Sequence, residues 1–438
     1  MATFGTPFQY APGQDTYVDL DRNGFNRWGD YSATTLDPSD PTKFWTVQEF
    51  AKPMMAGNSV WGTQIAEVQR GVGNTVQMVK SFPGINSTAS GFIPPDTMGA
   101  IGPSHFAELI NGRYAVFDKN TGNQVQTSTL NTFWANVAGV NPVGGTFDPR
   151  VLYDPSSKHW FAVSLDGGGA NPGNNLLIAV SNTADPTQGW HGAKAPADPN
   201  GNAGDFETLG VNSKGIYSSI NVFKNGTFTN NEGYNIDKTQ LIAGNLSFAR
   251  NVASQADVGV AVQPVIDLDN SNNPEAALGA FDFNSSQVKR SKFDNFLLPV
   301  SNVMNLDVFN GPNPNPPGDA HQPGGATPID AGDLRISGNT LLADGALWLT
   351  QTVRDPLSGL EDIRWAAIDP GTDAVLDQGL IDIPNFDLYY SSISVDPAGD
   401  VVIGFSASSA PEPATWLILC TSLLGLLGYS WQRGMKKA

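Results

Sequence analysis

Apolar residues in this chain recur in short alternating runs and not with the period of a helix. Between residues 4 and 406 no long segment repeats apolar side chains at the three- and four-residue spacing of an amphipathic helix. The runs are rich in aromatic and β-branched residues, and Asp-Pro, Asn-Gly and Gly-rich turns bound them. Strands are predicted at residues 43–51, 105–118, 159–165, 175–181, 215–223, 346–353, 364–369 and 401–407. The pattern therefore predicts an all-β protein.

Several of these runs share one local plan: a strand, a tight Asp-Pro or Asn-Ser turn, and a second strand that is aromatic or branched. The plan is found at residues 34–51, 150–166, 209–223 and 393–407. A repeated hairpin without disulfides indicates similar sheets packed side by side, and a β-propeller of about seven blades buries such sheets well. The spacing of the hairpins is irregular, so a pair of β-sandwich domains is the alternative.

The chain changes character at residue 411. An uncharged apolar run from Trp416 to Trp431 is followed by the basic residues Arg433, Lys436 and Lys437. As a helix the run would span about 24 Å, slightly less than the hydrocarbon core of a membrane. Flanking tryptophans and a basic end are typical of a transmembrane helix whose C-terminus is cytoplasmic. The sequence predicts such a C-terminal hydrophobic helix, and a buried core helix is the alternative.

Immediately before this run stands Pro411-Glu412-Pro413. The order of tripeptide, apolar segment and basic end over residues 411–438 resembles the PEP-CTERM sorting signal of Gram-negative bacteria. The resemblance implies that an exosortase-type enzyme recognises these three residues and removes the segment that follows. It further implies a cell-envelope protein, held in the membrane by its C-terminus and then displayed on the surface or released into the extracellular matrix.

The N-terminus does not fit this interpretation. Residues 1–25 lack the basic start and apolar stretch of a secretory signal peptide. A C-terminal sorting enzyme acts only on an exported protein, so either the start of the natural chain lies upstream and this chain is partial, or the tail is vestigial.

Composition narrows the set of partners. The formal charge is −18, and residues 411–438 contribute +3 − 1 = +2, so the remaining body carries −20. Such a body is not expected to bind nucleic acid or anionic lipid. The one cysteine, Cys420, lies in the apolar run, so the body contains no disulfide or thiolate site.

A second resemblance covers most of the body. Residues 91–122, 147–166, 178–190 and 204–223 resemble exported bacterial sialidase-like β-propellers of unassigned activity. Here a block at residues 27–51 and 61–68, which that group carries near its end, comes first. The hypothesis is a circularly permuted ring, in which residues 1–70 form a β segment that closes the propeller beside residues 401–407. Residues 71–90 are then a linker, and residues 91–409 are the main body. The rival is that residues 1–70 are the last blade of a preceding copy in a tandem protein.

One segment has the ligand spacing of a calcium loop. Asp19, Asp21 and Asn23 occupy positions 1, 3 and 5, the carbonyl of Phe25 is at position 7 and Asp30 is at position 12. Arg at position 9 and Asp in place of Glu at position 12 depart from the pattern. The alternative is an Asx-rich turn. A similar segment at residues 267–275 lacks the glycine and predicts a turn.

Carboxylates at Asp205, Glu207 and Asp96 are the candidates for catalysis. Residues two apart on a strand share a face, which predicts that Asp205 lies beside Glu207, and that Asp148–Arg150 and Asp333–Arg335 are ion pairs. A sialidase requires three arginines for the substrate carboxylate and carries Asp-box turns, and the nearest such segment, residues 394–402, does not match. The four histidines share no metal-binding spacing.

Two functions follow from these patterns. The first is non-enzymatic: a surface or extracellular matrix protein that binds polysaccharide, for which ten Trp and ten Tyr offer stacking surfaces. The alternative is an extracellular glycoside hydrolase or lyase that uses carboxylates at the propeller channel. An enzyme predicts that two carboxylates with perturbed pKa values converge at the channel mouth, whereas a binding module predicts an exposed aromatic patch without them.

Overall fold

Strands dominate the computed structural model, in which 55% of residues lie in strands and 7% in helices, as the sequence predicts. The structure describes residues 4–72, 75–167, 173–270, 276–280, 287–292, 298–306, 316–409 and 423–430, and for 276–280, 298–305 and 423–430 the backbone alone. The strands predicted from the hydrophobic pattern are confirmed at 43–51, 105–118, 159–165, 175–181, 215–223, 346–353, 364–369 and 401–407, with differences of at most four residues at their ends and a tight turn inside 105–118.

Antiparallel sheets follow one another along the chain, and in most of them each strand pairs with its neighbour in sequence. After β1 (Phe8–Gln9), the first three sheets are β2–β5 (Ala33–Leu36, Lys43–Met55, Asn58–Arg70, Val76–Asn86), β6–β9 (Met98–Ile101, His105–Ile110, Arg113–Asp118, Gln124–Thr129) and β10–β13 (Gly145–Asp154, His159–Gly167, Asn175–Ser181, Trp190–Pro196).

The later sheets are β14–β18 (Ala203–Asp205, Gly210–Val211, Gly215–Lys224, Thr227–Asp237, Phe248–Ala253), β19–β22 (Val260–Asp267, Ala276–Ala280, Gln287–Lys292, Leu298–Asn305), the short pair β23–β24 (Asp319–Ala320, Ile329–Asp330), β25–β28 (Thr340–Ala343, Ala346–Arg354, Glu361–Ile368, Val375–Ile381) and β29–β31 (Phe386–Val395, Asp400–Ser409, Leu423–Ser430). Helices are single turns: α1 (Ser87–Ser90), α2 (Leu130–Thr132), α3 (Lys238–Ile242) and α4 (Gln255–Val258), with a π-helical turn at Phe133–Val137 and 3₁₀ turns at Pro186–Gln188 and Pro323–Gly325.

The first strands of successive sheets lie side by side around an axis. Strand β19 pairs in parallel with β15 through Val211 and Ile266, and with β25 through Val265 and Thr340. Strand β6 contacts β2 and β10, and β2 contacts β29. A cavity of about 40 Å³ is lined by residues of β2, β6, β10, β19, β25 and β29. One axial space therefore touches sheets from both ends of the chain.

The aromatic residues form the core between the sheets. All the tryptophans and tyrosines of the described residues are at most 9% exposed: Trp28, Trp45, Trp61, Trp134, Trp160, Trp190, Trp348, Trp365, Tyr10, Tyr17, Tyr31, Tyr114, Tyr153, Tyr217, Tyr234, Tyr389 and Tyr390. Edge-to-face packing of rings of this size contributes strongly to sheet-on-sheet contact. The stacking surfaces expected from the Trp and Tyr content are therefore not found in the described part of the chain.

The N-terminal sheet is joined to the last sheet by buried hydroxyl groups. Ser32 donates a hydrogen bond to the carbonyl of Tyr390 at 2.8 Å, and the hydroxyls of Thr34 and Ser392 lie 2.8 Å apart. The indole of Trp28 donates to the hydroxyl of Ser406 at 3.1 Å. These contacts place Trp28, Ser32 and Thr34 against β29 and β30.

Residues 71–90 were predicted to be a linker, and this prediction is wrong for residues 76–90. Residues 76–86 form β5, the fourth strand of the N-terminal sheet, and residues 87–90 form α1, which the side chain of Asn86 caps. Strand β5 mixes apolar and polar residues without regular alternation, and it is the outermost strand of its sheet, where one edge faces solvent.

The predicted C-terminal helix is not supported. Residues 423–430 are a strand, β31, that pairs antiparallel with β30 and with the two residues of β1. Two glycines in this stretch lower helix propensity, and β30 offers an open edge for backbone pairing. The remainder of the predicted helix lies outside the described residues. Within the described part of the chain no helix is long and apolar enough to cross a membrane.

A buried carboxyl group between the first two sheets gives a stability prediction. Burial raises the pKa of Glu108 to about 7. Its oxygens contact the hydroxyl of Thr63 and the N–H of Ile85, and Thr63 already donates its proton to the carbonyl of Ile85. The protonated carboxyl therefore donates to Thr63 and accepts from Ile85, which glutamine can also do.

Glu108→Gln should remove one component of the pH dependence of stability. The folded pKa lies above the unfolded value of 4.5, so the stabilisation is complete below about pH 4.5 and is lost as the pH rises to about 7. Thermal melts from pH 4 to 8 should show a smaller fall for Glu108→Gln than for the native protein, with Asp257→Asn as the exposed control. Equal slopes would exclude this role.

Candidate functional site

A cluster of charged side chains lies at the end of the axis where the first strands begin, and we call it the chamber. It contains the carboxyl groups of Asp30, Asp96, Asp148, Asp205, Glu207, Asp330 and Asp333, and the guanidinium groups of Arg27, Arg150 and Arg335. Four of its acidic residues come from different sheets, since Asp30 precedes β2, Asp96 precedes β6, Asp148 lies in β10 and Asp205 ends β14.

A recurrent backbone distortion points these residues toward the axis. Asp96, Asp148, Phe206, Ala261 and Tyr390 have φ between 48° and 53°, in the left-handed region. Three of them lie at bulges, because the pairing shifts register at 147/150, 260/263 and 389/392. A non-glycine residue in this region costs about 1 kcal/mol or more, and such residues and bulges are frequent at functional sites.

Asn111 connects two of the acidic residues. It donates from Nδ2 to the carboxyl Oδ2 of Asp96 at 2.6 Å, and its Oδ1 accepts the N–H of Asp148 at 2.8 Å. The other oxygen of Asp96 accepts the N–H of Asp30 at 2.9 Å. Besides burial, the charge of Asp96 acts on Asp148 and raises the pKa of its carboxyl group.

Asp205 and Glu207 do not share a face. Asp205 is exposed to the solvent of the chamber, whereas Glu207 is fully buried. The prediction from strand alternation is wrong here because Phe206 between them has left-handed backbone, which breaks the two-residue period. Asp205 thus faces the chamber and Glu207 lies in its wall.

Arg150 lies beneath the chamber and does not form the ion pair predicted with Asp148. Its Nε donates to the carbonyl of Glu207 at 3.2 Å and an Nη to that of Ser337 at 3.1 Å. The guanidinium carbon lies 3.5 Å from the ring centre of Tyr31. Arg150 therefore links β10 to the loops that precede β15 and β25, and the register shift at Asp148 accounts for the missing pair.

The other two arginines are paired at the chamber rim. Arg27 contacts Asp30 at 2.6 Å and Asp330 at 3.5 Å. Arg335 binds both carboxylate oxygens of Asp333, at 2.9 and 2.8 Å, as the sequence predicts. All five side chains are partly exposed, with 22–25% of their surface in contact with solvent.

Crowding of carboxyl groups shifts their pKa values upward. Burial raises the pKa of Asp96 to about 7, and the charge of Asp30 adds to this while Arg27 opposes it. Burial, and then the charges of Asp96 and Asp205, raise the pKa of Asp148. Enclosure by the chamber walls raises the pKa of Asp205, although Arg335 counteracts it. Acid groups with raised pKa values thus lie next to carboxylates that are ion-paired.

Two further acidic residues lie in the wall of the chamber. Burial raises the pKa of Glu207 well above its usual value, and Arg150 opposes this. Burial and then the charge of Asp96 raise the pKa of Glu49, which lies behind Gly29. Both side chains are therefore neutral at moderately acidic pH.

Two of the calcium candidate residues have other contacts in the structure. Asp21 accepts the N–H groups of Asn23 and Phe25 at 2.8 and 3.0 Å, so its carboxylate closes its own turn, and Asp30 lies in the chamber. No group of three or more Asp, Glu, His or Cys side chains in the described ranges is arranged to hold a metal ion. Calcium binding by Asp19 and its neighbours stays a prediction.

The sorting residues lie outside the described part of the chain. They are Pro411, Glu412, Pro413, Trp416, Trp431, Arg433, Lys436 and Lys437.

One sequence signal of the chamber is an Asp in or near the first strand of several sheets. It occurs as Gly29-Asp30, Pro95-Asp96, Phe147-Asp148, Gly204-Asp205 and Gly332-Asp333. Its recurrence identifies the chamber because the first strands all begin at the same end of the axis. Asp30, Asp148 and Arg335 belong to the site for this reason, in addition to the predicted Asp205, Glu207 and Asp96.

Comparison with known proteins gives fold-level similarity alone. No family model matches the chain, and no curated protein matches it. Among solved structures it is similar to the Dos1 propeller, with 11% identity over 97% of this chain and 95% of that chain and a TM-score of 0.44. A subtype N11 neuraminidase-like protein of A/flat-faced bat/Peru/033/2010 is 8% identical over 99% of both chains, with a TM-score of 0.39. The endo-arabinase of Bacteroides thetaiotaomicron is 11% identical over 80% of this chain and 98% of that chain, with a TM-score of 0.35.

Proposed function

We propose that this protein is a carbohydrate-active β-propeller that cleaves a glycosidic bond at the chamber. The observation that carries the proposal is the convergence of carboxyl groups from four sheets, some with raised pKa values and others in ion pairs. Glycoside hydrolysis requires one carboxyl group that donates a proton and a second that accepts one. The buried tryptophans and tyrosines offer little support for a protein that only binds polysaccharide on its outer surface.

Asp205 is the proton donor in this proposal, because it is open to solvent and its pKa is raised. It gives its proton to the glycosidic oxygen of the leaving sugar as the bond to the anomeric carbon breaks. A water molecule adds its oxygen to that carbon, and the ion-paired carboxylate of Asp30 takes the water proton. Asp96 and Asp148 lie behind these groups and position the strands that carry them.

The test is to incubate the purified full-length chain with neutral, acidic and amine-bearing polysaccharides and to measure new reducing ends. We expect products from one class, at a rate that falls as the pH rises and the proton donor loses its proton. Retention of a polysaccharide without any product would refute hydrolysis and favour the binding module. Products with an unsaturated sugar end would indicate a lyase.

Export remains part of the proposal. We propose that an exosortase-type enzyme processes the chain at Pro411, Glu412 and Pro413, and that the body then reaches the cell surface or the extracellular matrix. The support is the order of motif, apolar run and basic end. Mass measurement of the native protein from cells and medium tests it, since processing removes the residues after this motif.

We also propose that the sheets form seven blades and that the N-terminal sheet closes the ring. The contacts of β2 with both β6 and β29 support this arrangement, as does the cavity that six first strands share. The last blade would then take its outermost strand, β1, from the N-terminus.

A further inference from the structure

We propose that the gap between β30 and β1, which we call the strand site, binds an extended apolar peptide. Residues 423–430 fill the strand site in the full chain as β31, and a strand of a partner protein fills it once these residues are removed. The inference rests on the proposed processing at Pro411-Glu412-Pro413 for their removal. It goes beyond that proposal because it assigns a binding function to the surface that processing leaves open.

The backbone of β30 is one wall of the strand site. Residues 400–407 of β30 pair antiparallel with β31 in one continuous register, from Asp400 with Ser430 to Ala407 with Leu423. On its other side, β31 pairs with Phe8 and Gln9 of β1. A strand that enters the site therefore gains a ladder of backbone hydrogen bonds with β30, which is how extended peptides add to the open edge of a sheet.

The N-terminal sheet gives the strand site an apolar side. Strand β31 contacts β3, β4 and β5 of that sheet. One buried apolar cluster includes Val402 of β30 and Tyr10, which directly follows β1, so it extends across the position of β31. Its other buried members are Ala11, Phe44, Phe50, Ala66 and Val68. Loss of β31 brings water to this cluster, which favours an apolar strand as the replacement.

The connection between β30 and β31 makes β31 separable from the rest of its sheet. Strands β29 and β30 are joined by the short turn at residues 396–399, whereas residues 410–422 join β30 to β31. A tight hairpin needs only about two to five residues. The longer connection contains Pro411-Glu412-Pro413, so the proposed cleavage falls between β30 and the strand that covers its edge.

The dimensions of the strand site select a single strand of another protein. Strand β31 has eight residues, and beside its pairing of Ser430 with Asp400 the site is closed by the ion pair of Asp400 with Arg70 at 3.1 Å. The gap is one strand wide, so the sheet edge of a second folded copy does not enter it. The chain's own N-terminal segment is a poor replacement, because Pro7 lacks the N–H that a ladder requires.

The experiment separates β31 from a chain that has already folded. A site for a sequence-specific protease is inserted between residues 413 and 423 of the full-length chain, which is cleaved after purification. The matched control carries Leu426→Pro and Leu427→Pro, two adjacent prolines that interrupt the ladder whichever side each N–H faces. We expect the native C-terminal fragment to elute with the body on gel filtration and the proline fragment to separate from it.

The body freed of its fragment is then titrated with dye-labelled peptides of residues 421–438, and anisotropy measures binding. The native peptide should bind about ten-fold or more tightly than the proline peptide, because the latter loses backbone hydrogen bonds. Excess native peptide should also displace the fragment from the cleaved native chain, whereas the proline peptide should not. This displacement makes the same comparison without a variant chain.

Equal retention of both fragments, or equal binding of both peptides, would overturn the inference, since pairing with β30 would then contribute nothing. A freed body that takes up no peptide, because its N-terminal segment or a second copy closes the site, would also overturn it. Native protein whose mass shows no loss of residues after the Pro-Glu-Pro motif would refute the proposed processing and leave the strand site in place. Loss of these residues from a body that binds no peptide would do the reverse.

Discussion

Asp205→Asn should lower the rate of glycoside cleavage by about 10²–10⁴-fold, the range typical for loss of a general acid or base. The amide keeps the size and the hydrogen-bonding atoms of the side chain but has no proton to transfer. Asp205 is exposed to the solvent of the chamber, so the substitution leaves no cavity and the fold should persist. Initial rates of reducing-end release, measured from pH 4 to 8, should be low at every pH and should lose their dependence on the acid group.

Asp257→Asn is the control for this variant. Asp257 is exposed on α4, accepts a hydrogen bond from the hydroxyl of Ser254 at 2.6 Å and lies outside the chamber. Its rate should equal that of the native chain. If Asp205→Asn retains more than about a tenth of the native rate, the proton donor lies elsewhere, since general acids contribute more than this. Thermal melting of both variants verifies that they are folded.

The arrangement of the chamber lowers the stability of the fold. Several acids are held where burial and mutual repulsion oppose ionisation, and five residues around them adopt left-handed backbone. None of these features is required to pack one sheet against the next, because the cores between sheets are aromatic and aliphatic. Unfavourable groups that are concentrated at one end of the axis are characteristic of a site that acts on a ligand.

The strands could be predicted from sequence because alternation and turn residues are local signals. The run 175–181 is a strand with the predicted bounds, and the run at 401–407 lies inside β30. The strand β5 was missed because an outer edge strand shows no apolar alternation. The helix at 416–431 was expected from an apolar run with flanking tryptophans and a basic end, but an apolar run alone does not distinguish a helix from a strand such as β31.

The site could be predicted only in part. Asp205, Glu207 and Asp96 were chosen as candidates because acidic residues are needed for hydrolysis, but their arrangement depends on contacts across the axis. The backbone of Phe206 separates Asp205 from Glu207, and no local pattern reveals a left-handed phenylalanine. The pairing of Arg27 with Asp330, more than 300 residues apart, likewise depends on long-range packing that no local pattern reveals.

Trp28→Ala should destabilise the protein by about 3–5 kcal/mol, the usual cost of removing a buried tryptophan. The indole is 1% exposed and packs edge-on against Tyr17 and Tyr389, with ring centres 5.1 and 6.2 Å away. Its Nε1–H bonds to Ser406 on β30. These contacts join the N-terminal segment to the last sheet, so their loss removes packing and opens the closure proposed for the ring.

Urea unfolding followed by tryptophan fluorescence and circular dichroism measures the change. Phe25→Ala is the control, since Phe25 lies three residues earlier with 54% of its surface exposed, and its removal should change stability by no more than about 0.5 kcal/mol. Trp28→Phe retains an aromatic ring and loses the indole N–H, so its loss of stability should lie between those of Trp28→Ala and Phe25→Ala. A loss of less than about 1 kcal/mol of unfolding free energy for Trp28→Ala would mean that the N-terminal segment does not close the ring. Removal of a tryptophan buried at that junction should cost more stability than this.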